Sequence, residues 1–438
     1  MKLTVAILVG KTISWLTRAL KLGGGSAAPG LYALKIEQDL VEKLSQKIPR
    51  NVVITGTNGK TTTARMLAHF ARESRLKVIR NSTGSNLERG IASALISHFS
   101  LDAYLPHTGG VQGSHLGIWE LDEAAFNSVA PKLKPDVIVF LNVFRDQLDR
   151  YGEVDSVVKG WAGTLESLPK ETIILVNGDD PNTAKLGSSF KGKVYKFGVK
   201  DYKIVGESLE YRKENENLGC EAINVKLKGL SESLFSVVIH SRPHPVVLPL
   251  PGVYHIYDFL AAFYAGHELG FSTESMISSL KGFQPAFGRV EKLPFGYIFL
   301  IKNPAGATQV FETLAPQIKP SDRLLIALND NLADGTDVSW IWDGEFERLQ
   351  RAHAEGGEGN RQQIICSGSR AADLAVRLKY AGFKAESIIV EPILKKALRE
   401  AREGLRGQLY ILPTYTALLE LQKILAKMGI KKHYWREN

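Results

Sequence analysis

The sequence predicts an α/β protein with two successive units, each a sheet of buried strands covered by helices. Two observations carry this prediction. Between residues 51 and 160, short apolar runs alternate with segments of helical periodicity, and a second alternation of the same kind begins near residue 296. Such alternation is typical of parallel sheets with helices on their faces. The chain of 438 residues is also too long for one compact core and suits two or three domains.

The first element is an amphipathic helix over about residues 1–21, whose polar side carries Lys11, Arg18 and Lys21. Its apolar run Leu3–Val9 is far shorter than the roughly 20 residues that cross a bilayer. No cleavage site of the signal-peptide type follows it. We expect this helix to pack on its own domain, with contact to a membrane surface as the alternative.

The following elements alternate in the βαβ order of the first unit. NVVI at 51–54 reads as a buried strand, the glycine turn TGTNGKTTT at 55–63 follows it, and TARMLAHFARES is the next helix. LGIWELDE, PDVIVFLNV and TIILVNGDDPNTAKL supply further strands. The stretch 201–245 is β-rich and irregular, which predicts a small inserted subdomain. The helix IYDFLAAFYAGHEL comes after it.

The second unit contains four strand-and-helix segments: YIFLIKNPAGATQVFETL, DRLLIALNDN, QQIICSGSRAADLAVRLKYAG and QLYILPTYTALLELQKIL, with the short strand SIIVEP before the last. This pattern predicts a Rossmann-like domain. We therefore divide the chain into an N-terminal helical segment at 1–45, a central domain at 46–295 and a C-terminal domain at 296–438.

Composition and cysteine content narrow the possible function classes. The chain is 44% hydrophobic and 23% charged, as in an ordinary globular protein, and its formal charge of +9 suits anionic ligands without choosing among nucleotides, nucleic acid and acidic lipid. Cys220 and Cys366 lie far apart with no CxxC spacing. This excludes a disulfide framework and a recognisable zinc site, and it fits a reducing cytosol. Cys366 reads as a buried strand residue.

The glycine turn carries the strongest chemical signal. The backbone from Gly56 to Lys60 can direct N–H groups inward, and the positive end of the following helix adds to the attraction for a polyphosphate. Lys60 supplies a charge for the outer phosphates, and the Thr61 hydroxyl can bind Mg²⁺. Ile54 stands where a strict P-loop has its first glycine. The alternative is a plain glycine turn that caps a helix, which would not need the lysine.

Together with later segments, this turn resembles the ATP site of the Mur ligases and their folate-ligase relatives. TGTNGKTT is their version of the P-loop, and NVFRDQLDRYGEVD, LVNGDDP, LPGVYHIYDFLAA and FGRVE keep the family's order across about residues 50–305. The resemblance implies a Mur ligase-type P-loop ATPase domain. Its nucleotide site would comprise Gly56, Thr57, Asn58, Gly59, Lys60, Thr61, Thr62, Arg289 and Asn303. It also implies Mg²⁺ on Thr61 and Glu120, and a solvated loop acid is the alternative for Glu120.

Departures from the family pattern point away from an ordinary Mur ligase. Only about fifty residues precede the turn, too few for the domain that holds the UDP of Mur substrates. Gln147 replaces the family's histidine, and Trp161 stands where the family has a lysine that is carbamylated, with Lys159 two residues away. FLIKNP keeps Asn303 but lacks the family's aspartate. We expect neither uridine recognition nor the usual positioning of an amino-acid substrate.

The second half is similar to the C-terminal domain of the ligase-like subunits of lipid II isoglutaminyl synthases, in the segments KNPAGATQV, LNDNLADGTDVSWIWD, SGSRAADLAVRLKYAG and LPTYTALLEL. That resemblance implies a partner, a GatD-type class I glutaminase, and lipid II as the substrate, with ATP-dependent amidation of its D-glutamate. An aspartate of the partner-facing segment would complete the glutaminase triad. We assign Asp343, beside two tryptophans, with Asp337 next and Asp334 in a turn role. No zinc site is predicted.

Two other functions remain open from the sequence. One is an ATP-dependent amino-acid ligase acting on a peptidoglycan or folate-like acid, and the other is a nucleotide-regulated binding subunit without catalysis. The retained Lys60, Thr61 and Glu120 favour a working ATP site. The resemblance implies a cytoplasmic protein, with the inner face of the plasma membrane as a further option. It implies peripheral membrane contact through the substrate and no nucleic-acid partner.

Overall fold

The computed structural model describes residues 1–20, 27–81, 85–99, 115–144, 154–200, 218–284, 288–354 and 363–430, without the side chains at 18, 189, 289 and 351–354. The described residues form two sheets with helices packed on them, which confirms the predicted α/β class. No helix among these ranges is long and apolar enough to cross a membrane.

The first sheet has nine strands in the order β2-β3-β1-β4-β5-β6-β7-β8-β9. Neighbouring strands are parallel as far as β7, and β8 and β9 run antiparallel beyond it. Their bounds are β1 Arg50–Thr55, β2 Lys77–Arg80, β3 His115–Leu121, β4 Val137–Phe140, β5 Ile173–Asn177, β6 Lys193–Val199, β7 Cys220–Lys228, β8 Glu232–Ile239 and β9 Arg242–Leu248.

The stretch predicted as an inserted subdomain at 201–245 is β-rich in its described part, but it extends this sheet and is not separate. Cys220 in β7 pairs with Phe197 in β6, and β8 and β9 continue the hydrogen bonding outward. The sequence did not show this connection, because strand periodicity indicates strands without indicating which edge they join. Residues 201–217 lie outside the described residues.

Helices cover both faces of the nine-stranded sheet. They are α1 Lys2–Ala19, α2 Ala28–Ile36, α3 Leu40–Ser45, α4 Lys60–Glu73, α5 Glu88–His98, α6 Glu123–Leu133, α7 Val154–Glu166, α8 Pro181–Leu186, α9 Val253–Glu268 and α10 Thr273–Ser279. Helix α9 is buried over nearly its whole length and packs beside α4, which follows the glycine turn. The purely apolar strands beneath them, such as β4, are buried on both faces, as parallel strands are in α/β proteins.

The second sheet has six strands in the order β10-β11-β15-β12-β13-β14, parallel except for β10. Its strands and helices are β10 Arg289–Leu293, β11 Gly296–Phe299, α11 Pro304–Leu314, β12 Arg323–Ala327, α12 Glu347–Ala354, β13 Ile364–Ser367, α13 Ala371–Tyr380, β14 Ile388–Val390, α14 Leu394–Arg402, β15 Leu409–Pro413 and α15 Tyr415–Lys427. Because the carboxyl ends of β11, β15 and β12 meet at one edge, the loops after them lie together there.

Candidate active site

The glycine turn lies at the carboxyl end of β1 and leads into α4. Gly56 and Gly59 have φ values of 136° and 90°, which a side chain would disfavour. The N–H groups of Thr57 and Asn58 are not open to a ligand, because both donate to Asn142. The Thr57 N–H donates to the Asn142 carbonyl at 2.9 Å, and the Asn58 N–H donates to the Asn142 side-chain oxygen at 2.8 Å. The donors that remain for an anion are those of the first turn of α4, which have no intrahelical carbonyl.

Lys60 is the first residue of α4, and its ammonium bends back over the turn. The Nζ atom donates to the carbonyl of Gly56 and, at 3.3 Å, to that of Thr57. It also forms an ion pair with Glu123 at 3.3 Å, and both side chains are nearly buried. The Lys60 ammonium is thus held at the mouth of the turn, where a phosphate oxygen could replace the carboxylate.

Thr61 and Glu120 meet as the sequence predicts. The Thr61 hydroxyl, in the first turn of α4, donates to Glu120 Oε2 at 2.7 Å; Glu120 lies in β3, beside Ile54 of the neighbouring strand β1. Glu120 is 3% exposed, which excludes the alternative of a solvated loop acid. Asn81 fixes its backbone by accepting from its N–H at 3.0 Å and donating to its carbonyl at 2.8 Å.

The two predicted metal ligands fit Mg²⁺ by the chemistry of their donors. A hydroxyl and a carboxylate oxygen, both hard ligands, stand side by side next to the turn, and Mg²⁺ is usually held by one or two carboxylates together with substrate phosphates and water. Within the described ranges, no group of three or more His, Cys, Asp or Glu side chains could hold a metal ion by itself.

Two features of the turn fit a polyphosphate. The Thr62 hydroxyl is buried and has no hydrogen-bond partner within the part of the chain that the structure describes, which is costly unless a ligand or water supplies one. At Gly59, a Cβ atom would stand 2.2 Å from Asp258 Oδ1, so only glycine leaves the backbone open at this point. Thr57 instead has a structural role, because its hydroxyl accepts from the N–H of Phe144 at 3.1 Å.

Residues from the second half reach the turn. Asn58 and Asn303 exchange two side-chain hydrogen bonds, of 3.1 and 3.0 Å, and the Lys302 ammonium donates to the Thr57 carbonyl at 3.0 Å. Asn303 also caps α11 by accepting from the N–H of Gly306 at 2.8 Å. The side-chain oxygen of Asn303 therefore accepts twice, which makes this residue a link between the two halves.

A cleft with about 860 Å³ of empty space, open to solvent, lies between the two halves beside the turn. Asn58 and Gly59 line it from the turn, and Lys302 and Gly306 line it from the second half. Tyr257 of α9 lines it as well, with its hydroxyl donating to Asp179 Oδ2 at 2.7 Å. The lining combines polar and apolar side chains, as the lining of a small-molecule site does.

Helix α9 contributes a second buried carboxylate that sequence reasoning did not assign. Asp258 lies 3.1 Å from His255 Nδ1 and 3.5 Å from the Thr63 hydroxyl, and it lines the cleft next to Gly59. Glu123 and Lys302 were also missed, although each lies within a segment quoted above, LGIWELDE and FLIKNP.

Several predicted residues lie away from this geometry or beyond the described part. Gln147 lies outside the described residues, and Arg289 begins β10 with a side chain that is not described. Trp161 is fully buried, packs on Phe140 and donates to the Glu123 carbonyl at 3.0 Å, while Lys159 is exposed. At the position where the family has its modified lysine, this chain thus has a buried tryptophan, which packs beneath α6, the helix that begins at Glu123.

The three aspartates that the resemblance assigns to a partner-facing segment differ in their surroundings. Asp334 is buried; its N–H donates to the Asn331 carbonyl at 2.7 Å, as in a turn, and its carboxylate accepts from the N–H of Thr416 in the first turn of α15 at 2.8 Å. Asp337 is exposed and accepts from the N–H of Ser339 at 2.8 Å. Asp343 is exposed at the end of the 3-10 turn Ser339–Trp342.

Arg377 holds the loop that presents Asp343, although no sequence signal marked it. Its buried guanidinium donates to the carbonyls of Ile341 at 2.9 Å and Gly344 at 2.8 Å, on either side of Asp343. Trp342 remains 50% exposed and lies edge-to-face with Tyr380 at 5.5 Å. The result is an aspartate on a rigid, partly aromatic surface.

The two cysteines are free and buried, in β7 and β13, and burial raises the pKa of the Cys366 thiol to about 12. Neither is a nucleophile at neutral pH.

Comparison with known proteins places this geometry in a family. Residues 54–266 match the Mur ligase middle domain, and residues 300–418 match the MurT ligase C-terminal family. The chain is 30% identical to the lipid II isoglutaminyl synthase (glutamine-hydrolyzing) subunit MurT of Streptococcus pneumoniae, over 98% of both chains. It is 29% identical to the Staphylococcus aureus subunit of the same name, over 90% of this chain and 91% of that protein.

The fold is that of Mur ligases. A crystal structure of MurF from Acinetobacter baumannii superimposes with a TM-score of 0.67 at 17% identity, covering 92% of this chain and 81% of that one. Full-length similarity to the pneumococcal subunit, together with the two matched domains, gives the assignment: the chain belongs to the MurT family of Mur ligase-like proteins.

Proposed function

We propose that this chain is the ATP-dependent synthetase subunit of a lipid II isoglutaminyl synthase, which amidates the α-carboxyl group of the D-glutamate in lipid II. The observation that carries the proposal is the pairing of Thr61 and Glu120 at 2.7 Å beside the glycine turn and Lys60. The names of the pneumococcal and staphylococcal relatives support the reaction and the substrate.

The reaction proceeds in two steps. The carboxylate attacks the γ-phosphorus of ATP, the bond to the β,γ-bridging oxygen breaks, and ADP leaves with that electron pair. Ammonia then attacks the acyl phosphate, the carbon–oxygen bond to phosphate breaks, and ammonia loses a proton. The products are D-isoglutamine and inorganic phosphate. Activation is necessary because a carboxylate has no good leaving group for an amine to displace.

The residues of the turn supply binding and charge. Lys60 would exchange its ion pair with Glu123 for the outer phosphates and stabilise negative charge on the transferred group. Mg²⁺ held by Thr61 and Glu120 would neutralise phosphate charge. The positive end of α4 would receive the remaining phosphate oxygens. A solved Mur-fold relative, MurF of Thermotoga maritima, is described in complex with ADP, which supports a nucleotide at this fold's turn.

The ammonia would come from a GatD-type glutaminase subunit. The relatives' names describe a glutamine-hydrolyzing enzyme of which MurT is one subunit. We assign Asp343 as the carboxylate that orients the partner's histidine, because it is exposed on a loop fixed by Arg377 and flanked by the exposed Trp342. Asp334 is engaged in capping. The complex would act in the cytoplasm, at the membrane face where its lipid-linked substrate resides.

Product mass with different nitrogen donors tests this function. The complex is incubated with lipid II, Mg-ATP and either ammonium, glutamine or free amino acids. Ammonium-dependent loss of about one mass unit, which follows from replacing OH by NH₂, supports amidation. Addition of an amino acid would instead support the ligase alternative, and no turnover with any donor would support a binding subunit.

Two substitutions assign roles within that assay. Lys60→Ala should abolish turnover with both ammonium and glutamine. Asp343→Asn should lose glutamine-dependent turnover by about 10⁴-fold, the scale of a lost triad carboxylate, and keep ammonium-dependent turnover. Asp337→Asn changes the second candidate, which is also exposed and lies six residues away; a loss of glutamine-dependent turnover in this variant, with normal turnover in Asp343→Asn, would move the assignment to Asp337. Equal losses with both donors in Asp343→Asn would refute the triad role.

A further inference from the structure

The N-terminal helices expose an apolar surface that the proposed reaction does not use. Helix α1 has two apolar sides, and only one is buried. On the inner side, Ala6 and Ile7 are fully buried, and Gly10 lies so close to Ile96 of α5 that a Cβ would stand 2.8 Å from its Cδ1 atom. Helix α2 is joined to α5 in turn, with the Gly30 N–H donating to Ser93 Oγ at 2.8 Å. Because these contacts fix the inner side of α1 and α2 on α5, the outer side faces away from the protein.

That outer side is what we call the docking face. It consists of the exposed apolar residues Val5, Leu8, Trp15, Leu16, Leu31 and Tyr32. Trp15 is 67% exposed and Tyr32 is 49% exposed. Large side chains at this helical spacing form a continuous stripe. A contiguous exposed apolar surface marks an interaction site in a soluble protein.

The charge around the docking face identifies its occupant. The first 36 residues contain Lys2, Lys11, Arg18, Lys21 and Lys35 and neither aspartate nor glutamate. An apolar stripe within a segment whose charged residues are all basic fits the headgroup region of an anionic bilayer, where tryptophan and tyrosine also concentrate. Protein interfaces are, by contrast, depleted in lysine. We propose that α1 and α2 dock the protein on the surface of a membrane containing anionic lipid, with the helices lying along it.

The proposal does not depend on lipid II, so it can fail or succeed separately from the proposed function. The complex is mixed with vesicles that lack lipid II and are made of phosphatidylcholine alone or of equal parts phosphatidylcholine and phosphatidylglycerol. The fraction that floats with the vesicles is measured at low and high salt. We expect flotation with the anionic vesicles that weakens at high salt.

Matched variants then locate the contact. Trp15→Asp with Leu16→Asp should lower the vesicle affinity at least about tenfold, since both side chains would enter the interface. Val247→Asp with Val390→Asp is the control: it makes the same charge change at two apolar residues of similar exposure, 55% and 48%, on other elements. The control should stay within about twofold of the wild type, because those residues lie outside the docking face.

A charge variant is a second test that leaves the apolar stripe intact. Replacing Lys2, Lys11 and Lys35 by glutamine should weaken binding to anionic vesicles by about fivefold for each lysine and leave phosphatidylcholine binding unchanged. Absence of wild-type flotation, or equal flotation of the Trp15/Leu16 variant, would overturn the proposal. So would a change of molar mass in that variant without vesicles, which would mean that a protein copy covers this face.

Discussion

Replacing Gly59 by alanine tests whether the turn needs the close approach of backbone and carboxylate. Two separate costs follow from the structure. A residue other than glycine at a φ of 90° costs about 1–2 kcal/mol. The new Cβ would also stand 2.2 Å from Asp258 Oδ1, well inside van der Waals contact, and Asp258 is buried and bonded to His255. Displacing such a packed group costs about 1–3 kcal/mol more.

Gly270→Ala separates the two costs. Gly270 has nearly the same φ, 84°, but a Cβ there would meet nothing within 4 Å. We therefore expect a loss of about 1–2 kcal/mol in the free energy of unfolding for Gly270→Ala. For Gly59→Ala we expect about 2–5 kcal/mol, the sum of both costs. Urea unfolding at fixed pH gives both values.

The functional readout is ATP turnover by the complex at a temperature where both variants are folded. A shift of the turn by about 1 Å should lower turnover of Gly59→Ala about 100-fold, while Gly270→Ala keeps the wild-type rate. Equal stability losses in the two variants would show that the Asp258 contact is harmless. Normal turnover in Gly59→Ala would refute the assignment of this turn to the phosphates.

Two further predictions concern the surroundings of the turn. Burial raises the pKa of the Asp180 carboxyl from 3.8 to about 6, so the folded state binds this proton more tightly than the unfolded state does. Protonated Asp180 therefore contributes about 3 kcal/mol to the free energy of unfolding at low pH, and this contribution is lost as the pH rises from about 4 to 6. Asp180→Asn has no such proton, so the free energy of unfolding of the variant minus that of the wild type should increase by about 3 kcal/mol between about pH 4 and pH 6. A difference that does not change with pH would contradict this assignment. For the link between the halves, a double-mutant cycle of Asn58→Ala and Asn303→Ala should give a coupling of about 1–3 kcal/mol, from two hydrogen bonds, and a coupling near zero would show that the pair does not hold the halves together.

The local parts of the fold and site were predictable from the sequence. The strand, turn and helix around 55–63 follow from an apolar run, two glycines that must adopt positive φ, and a helical pattern directly after them. The meeting of Thr61 and Glu120 could also be expected, because the strand that leads into the turn, β1, and the strand that carries Glu120, β3, both end at the same edge of one parallel sheet. In each case the information lies in a short segment.

The contacts that close the site could not be predicted in this way. Lys302 reaches the Thr57 carbonyl and Asp258 approaches Gly59 from segments about 245 and 200 residues further along the chain. The sequence pattern around a single lysine or aspartate predicts the helix or strand that carries it, but it does not indicate which distant residue the side chain will contact. The same limit explains β7, β8 and β9, whose pattern showed strands but not the edge that they extend.

The arrangement of the second sheet brings the loops of both proposed sites, for ATP and for a glutaminase, to one edge. Lys302 and Asn303, which touch the turn, follow β11, while the loop that ends in Asp343 follows β12. Thr416, whose N–H donates to Asp334 of that loop, follows β15, which lies between β11 and β12 in the sheet. Parallel strands bring these three loops to one edge. A shift at the cleft, when a nucleotide displaces Lys60 or Lys302, would therefore act on the same edge that presents Asp343. Under the proposed function, ammonia released beside Asp343 would therefore enter at the edge of the sheet whose loops reach the glycine turn.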